Sequence, residues 1–178
     1  MTMQLIETKT LGTATASITF TSIPQNGTDL VLVGLVRTAR ALVNDFVDLR
    51  FNGDNTDGNY SARVLFGNGS SASSFTENSY IGDVNGDTST ADTFSSIKVY
   101  VPNYTGSTTK SGSVETVSEA NATAAYQSLI ARLWNNTAAI TSMEIGFTAA
   151  GSNLVAGSTF SLYKITKGSD GIVTTSTS

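Results

Sequence analysis

The stretch RFNGDNTDGNYS, residues 50–61, gathers Asp54, Asn55, Asp57 and Asn59 around Gly53 and Gly58. These are the oxygen donors of a calcium loop. An EF-hand loop needs D-x-[DN]-x-[DN]-G and a bidentate Glu six residues after the Gly. Placing Gly58 at the glycine position puts Gly53 at the first ligand position and Val64 at the Glu position. Two required ligands are missing, so the stretch reads as turn chemistry: Asn-Gly and Asp-Gly supply the positive φ of tight turns. Asp83, Asn85 and Asp87 in DVNGDTST take the same reading. Carboxylates of two such loops can still meet in space. No metal ligand is assigned.

Paired carboxylates are the other candidate chemistry. Asp45 with Asp48, Asp54 with Asp57, and Glu115 with Glu119 are the near neighbours. A glycosidase needs two carboxyls across a cleft with aromatic walls, and sequence proximity does not supply that. The chain has no His and no Cys. This removes the Ser-His-Asp triad, the Cys-His pair and thiol chemistry. No catalytic residue and no cofactor are expected. Tyr126, Arg132 and Trp134 have two readings: an exposed patch for sugar or protein, or a core capped by Trp134. The triplets at Asn26 and Asn103 that match N-x-[ST] arise readily in so polar a chain.

The elements that must position these residues are strands. The 178 residues suit one domain. The net charge is −4, and 13% of residues are charged. No Lys/Arg run exists, so nucleic acid is not expected as a partner. No apolar run reaches 18 residues, so no membrane span is expected. MTMQLIETKT lacks the basic n-region and apolar core of a signal peptide. Ser and Thr exceed a quarter of the chain. Val, Ile, Thr, Tyr and Phe alternate with polar residues, as in half-buried strands.

The strand-like segments are MQLIET, ASITFTSI, LVLVGLVRT, FVDLRFN, FSSIKVYVPNY, KSGSVETVSEA, MEIGFTAA and TFSLYKIT. LVLVGLVRT is a nearly continuous apolar run and reads as a central strand buried on both faces. ANATAAYQSLIARLWNN fits two periods. Leu129, Ala131 and Leu133 alternate with Ser128, Arg132 and Trp134, while Tyr126, Leu129, Ile130, Leu133 and Trp134 form a helical stripe; the all-β surroundings favour a strand. One short helical turn is expected over Tyr60 to Leu65. GNGSSASS and DVNGDTST read as turns. The expected fold is all-β, an antiparallel β-sandwich of the jelly-roll type with eight to nine strands. The expected organisation is an N-terminal arm or strand at 1–15, the sandwich at 16–167 and a polar tail at 168–178.

Five segments carry a family resemblance: SITFTSIP, DLVLVGLVRT, LRFNGDNTDGNYSARVLFGNGSS, LWNNTAAITSMEIGF and AGSTFSLYKI. Together they resemble small virion structural proteins of tailed bacteriophages, namely head-decoration (cement) proteins and tail-fibre domains. The likeness runs from about Ser17 to Thr166 and departs where Lys164 stands in place of a Gly. It implies a β-sandwich, commonly a homotrimer, made in the host cytoplasm and bound to the major capsid protein on the head surface. A tail-fibre or carbohydrate-binding domain is the alternative, and only that alternative brings in a glycan. The candidate interface residues are Met3, Leu5 and Ile6 of the N-terminal arm, with Tyr126, Arg132 and Trp134.

Overall fold

A computed structural model describes residues 2–120, 125–146 and 152–166. Twelve strands occupy the described residues. In chain order they are β1 (Thr2–Thr10), β2 (Ile18–Phe20), β3 (Asp29–Val36), β4 (Asn44–Phe51), β5 (Tyr60–Gly67) and β6 (Ala72–Glu77). There follow β7 (Tyr80–Asn85), β8 (Ser95–Val101), β9 (Lys110–Glu119), β10 (Ala125–Trp134), β11 (Met143–Gly146) and β12 (Thr159–Thr166). They form two antiparallel sheets. One has eight strands in the order β1-β12-β3-β8-β9-β10-β5-β6, the other four in the order β2-β11-β4-β7.

Eight of these strands pair as nested sets: β1 with β12, β2 with β11, β3 with β8, and β4 with β7. First meets last, and each following pair lies inside the one before. The pairs alternate between the two sheets, which is the jelly-roll winding. The expected fold is therefore present. The remaining four strands are two hairpins, β5–β6 and β9–β10, inserted between nested strands. Both extend the large sheet beyond β8, which is why the strand count exceeds the expected eight to nine.

The core lies between the sheets. Leu30, Leu32, Val36, Ile97, Val99, Val114, Ile130, Phe160 and Leu162 of the large sheet meet Ile18, Phe20, Val47, Leu49, Phe51, Ile81 and Ile145 of the small one. Two glycines show how tightly the core is packed, one between neighbouring strands of the large sheet and one between the layers. Gly34 is paired with Phe160, and a Cβ there would lie 2.3 Å from the Phe160 ring. Gly82 has φ +135°, and its Cβ would lie 2.3 Å from the Thr116 hydroxyl on the facing sheet. Bare backbone is what fits at both positions.

Several expectations need correcting. LVLVGLVRT is central in its sheet but is buried on both faces only in part: on the outer face Val31 is 6% exposed, whereas Leu35 is 54% exposed. The short helical turn lies at Asp57–Asn59, and Tyr60–Gly67 is strand β5. GNGSSASS runs into β6, and DVNGDTST begins inside β7. Of the two alternatives for the N-terminal segment, the structure shows the strand. Residues 2–10 are the edge strand of the large sheet, hydrogen-bonded to β12 along their length with one bulge between Leu5 and Glu7. The strand reading of 125–134 is correct. The tail at 168–178 lies outside the described residues. No helix among the described residues is long and apolar enough to cross a membrane.

Candidate functional site

The loop of residues 50–61 is a turn whose polar groups are already engaged. Asn52 and Gly53 have φ of 53° and 68°, and Asp54 N–H closes the turn on Phe51 C=O at 2.9 Å. Two successive positive φ angles make it the mirror-image hairpin turn that Asn-Gly favours. Beyond it, the Asp54 carboxylate accepts from Trp134 Nε1 at 2.8 Å, Asn59 Nδ2 at 2.8 Å and Thr56 N–H at 3.0 Å. Those bonds, the indole's first, hold its pKa down at about 2. Asp57 pairs with Arg50 at 2.9 Å. The loop carboxylates therefore fasten Trp134 and Arg50 rather than converging on a centre. No group of three or more candidate metal-ligating His, Cys, Asp or Glu occurs among the described residues.

Trp134 and Arg132 offer no exposed patch. Trp134 is 1% exposed and packs on Phe51 and Tyr60, with ring centroids 5.4 and 6.5 Å away. Arg132 is 4% exposed. Its guanidinium lies over the Phe51 and Tyr60 rings and donates to the carbonyls of Leu49 and Ser79. Burial lowers its pKa to about 10, so it remains charged at neutral pH. The core-capping reading is the correct one for Trp134. β10 thus turns Ser128, Ile130, Arg132 and Trp134 inward and leaves Leu129 outward at 51% exposure.

Leu129 belongs to the first of two surface features. Of the eight large apolar side chains exposed among the described residues, six stand on the outer face of the large sheet: Met3, Leu5, Leu35, Leu65, Val117 and Leu129. Cross-strand register sets three of them in two rows, with Lys98 and Glu115 between Val33 and Leu129 in the second. Leu5 is opposite Tyr163, which is opposite Val31 and then Tyr100. One row over, Val33, Lys98, Glu115, Leu129 and Leu65 face one another in turn. A shallow, mostly apolar depression of about 640 Å³ crosses this face from Met3 and Ile165 to Leu129. Met3 and Leu5 are therefore on an open face, whereas Ile6, at the bulge, packs against the core.

The second feature is a cleft of about 420 Å³ at the corner where the chain leaves the large sheet at Glu77 and enters the small one at Tyr80. The β5–β6 hairpin overhangs the small sheet there. Five rings follow one another across the overhang: Tyr126, Phe66, Phe75, Tyr80 and Phe46, with successive centroids 5.5, 6.1, 5.8 and 6.4 Å apart. Carboxylates of Asp48, Asp57, Glu77 and Asp83 stand beside them. Asp83 accepts from Tyr80 Oη at 2.6 Å and Asn44 Nδ2 at 2.9 Å, and Asp48 accepts from Ser79 Oγ at 2.7 Å. Burial raises the pKa of both carboxyls, against the lowering effect of those bonds.

The expected carboxylate pairs are not the ones in this cleft. Asp45 is fully buried on Arg40, at 2.9 Å, while Asp48 lines the cleft. The pairing of Phe46 with Asp83 brings Asp83 into the cleft, a partnership no local spacing reveals. Of the expected site residues, Tyr126 alone joins the ring series. The chain matches no family model, no curated protein and no solved structure.

Proposed function

We propose that this chain is a virion structural protein of a tailed bacteriophage: a head-decoration (cement) protein that associates as a homotrimer and binds the major capsid protein of the assembled shell. The observation that carries the reading is the outer face of the eight-stranded sheet, on which six of the eight exposed large apolar side chains among the described residues stand. A concentration of exposed apolar side chains on one face is what protein–protein interfaces present. The five sequence segments that resemble virion proteins support the phage assignment, and a jelly roll is a frequent capsid-protein architecture. A fold hosts many functions, so it is the exposed face that argues for assembly.

The reading places self-association on the large sheet, where β1 contributes Met3 and Leu5. Closed symmetry lets one patch meet its copies without open-ended growth. Many copies, each bridging neighbouring shell subunits, stabilise the shell by mass action and avidity. The test is a phage with the gene removed. Its particles assemble but release DNA at lower temperature, adsorb normally, and regain wild-type stability when the purified protein is added. Particles of unchanged heat stability that fail to adsorb would instead make the chain a fibre component.

A further inference from the structure

We propose that the cleft at the β6–β7 corner is a binding site for neutral saccharides, with a pyranose ring laid on Phe75 and its hydroxyls donating to Asp83 and Asp48. This goes beyond the assembly role and stands on different residues. The cleft lies on the small-sheet side of the overhang, whereas the apolar field is on the opposite side of the large sheet. A copy buried through that field still presents its cleft.

Three observations converge. First, the size suits a small ligand, since about 420 Å³ falls within the range of small-molecule sites. Second, Phe75 is 37% exposed on a strand whose residues are all exposed, yet its ring is held between Phe66 at 6.1 Å and Tyr80 at 5.8 Å. An exposed ring already fixed by its neighbours costs little further ordering when a ligand stacks on it. The ring face is electron-rich and attracts the polarised C–H face of a sugar. Third, the acceptors are oriented and not saturated. Each oxygen of Asp83 takes one hydrogen bond, from Asn44 or Tyr80, and Asp48 takes one from Ser79. A carboxylate has about four acceptor positions, so sugar hydroxyls can occupy the remainder.

Charge selects among ligands. The lining contains four carboxylates and no Lys or Arg. That disfavours uronic and sialic acids. An organic cation is disfavoured at Asp57 and Asp48, because Arg50 already stands beside both. The Arg40 guanidinium lies 5.7 Å from the centre of the Phe46 ring, and Arg50 is 2.9 Å from Asp57 and 3.9 Å from Asp48. A neutral ring with an apolar face and several donors is the chemistry left over. The raised pKa of Asp48 and Asp83 agrees with a site that takes donors without a full cation.

The test is amide NMR of the purified full chain titrated with glucose, galactose, mannose and N-acetylglucosamine, with N-acetylneuraminic acid and spermidine as charged comparators. At least one neutral sugar should shift resonances around Phe46, Phe75 and Tyr80. Phe75→Ala, on an edge strand, should fold with a modestly lower melting temperature, from the loss of two ring contacts, and weaken that binding about tenfold or more. Leu129→Lys, on the opposite face, should leave monovalent binding unchanged even if it abolishes assembly, so the two readings fail separately. No shift with any neutral sugar, unchanged binding by Phe75→Ala, or a stronger response to spermidine or N-acetylneuraminic acid would each overturn the proposal.

Discussion

Leu65 and Leu129 face each other across β5 and β10 on the open side of the large sheet, and the double replacement Leu65→Glu with Leu129→Lys tests what that side is for. Leu129 also faces Glu115, which faces Lys98. With both replacements in place, the row that starts at Lys98 and Glu115 would continue with a new cation and then a new anion, alternating in sign throughout. Opposite charges across strands contribute roughly 0.2–1 kcal/mol each, so the isolated fold should not suffer. Surface replacements of this kind stay within about 0.5 kcal/mol. Self-association is another matter. The two leucines are 56% and 51% exposed. Fully burying a Leu side chain is worth about 1.5–3 kcal/mol, so covering the exposed half of each contributes about 1 kcal/mol. Losing both removes about 2 kcal/mol per copy, or roughly thirtyfold in the association constant, before the cost of desolvating two charges is added. Sedimentation equilibrium should show the wild type forming a closed oligomer and the variant shifted to monomer, with melting of the monomer unchanged. A wild type that stays monomeric at high concentration, or a variant that associates as well as the wild type, refutes the argument that this face is an interface.

Other outcomes follow from single contacts. Trp134→Phe removes the indole donor that contributes most to holding Asp54 at about 2, so the Asp54 carboxyl should titrate closer to the ordinary 3.8 when followed by carbonyl NMR. In the wild type that bond's stabilisation is complete above the unfolded pKa and is lost as pH falls through about 2. The variant's acid-unfolding curve should therefore lose pH dependence in that window, on top of a loss of about 1–3 kcal/mol from the smaller ring. Gly34→Ala forces a methyl against the Phe160 ring and should cost about 1–3 kcal/mol in denaturant melts. Adding Phe160→Leu should cost less than the sum of the two single changes, because the leucine vacates that space. A chelator should leave the melting curve of the wild type where millimolar calcium leaves it, since Asp54 and Asp57 are engaged by Trp134 and Arg50.

The strands that could be read from the sequence are those with a clean two-residue period and one apolar side. β8 sets Ile97, Val99 and Val101 against Ser96, Lys98 and Tyr100; β12 sets Phe160 and Leu162 against Ser161 and Tyr163. β6 escaped because Ala72–Glu77 has no buried side at all. Its backbone is held as an edge by β5, and Ser-rich sequence looks like a turn. β10 was legible as a strand, yet its period points the wrong way. The more apolar set at Leu129 and Leu133 looks like the core face, and the structure buries the set containing Ser128 and Arg132. An arginine can go inward there because Leu49 and Ser79 supply carbonyls and two aromatic rings cover its faces. The cleft was the least legible part. Its carboxylates, Asp48 and Asp83, are 35 positions apart. They meet only through the β4–β7 pairing, the innermost of the nested pairs.

The same nesting sets a timetable for the nascent chain. β4 and β7 are close in sequence, and each outer pair must close a longer loop than the one within it. Thr2 is partnered with Thr166, 164 residues downstream. At roughly 5–20 residues per second of synthesis, the first strand leaves the ribosome about 8–33 s before its partner exists. Throughout that interval Met3, Leu5 and Ile6 have no sheet to join. The outermost pair is thus the last to form and the one most exposed to capture by a chaperone or by another nascent copy. Exchange of β1 between neighbouring chains would satisfy the same hydrogen bonds as closure within one chain, and polysomes bring such neighbours together during this wait.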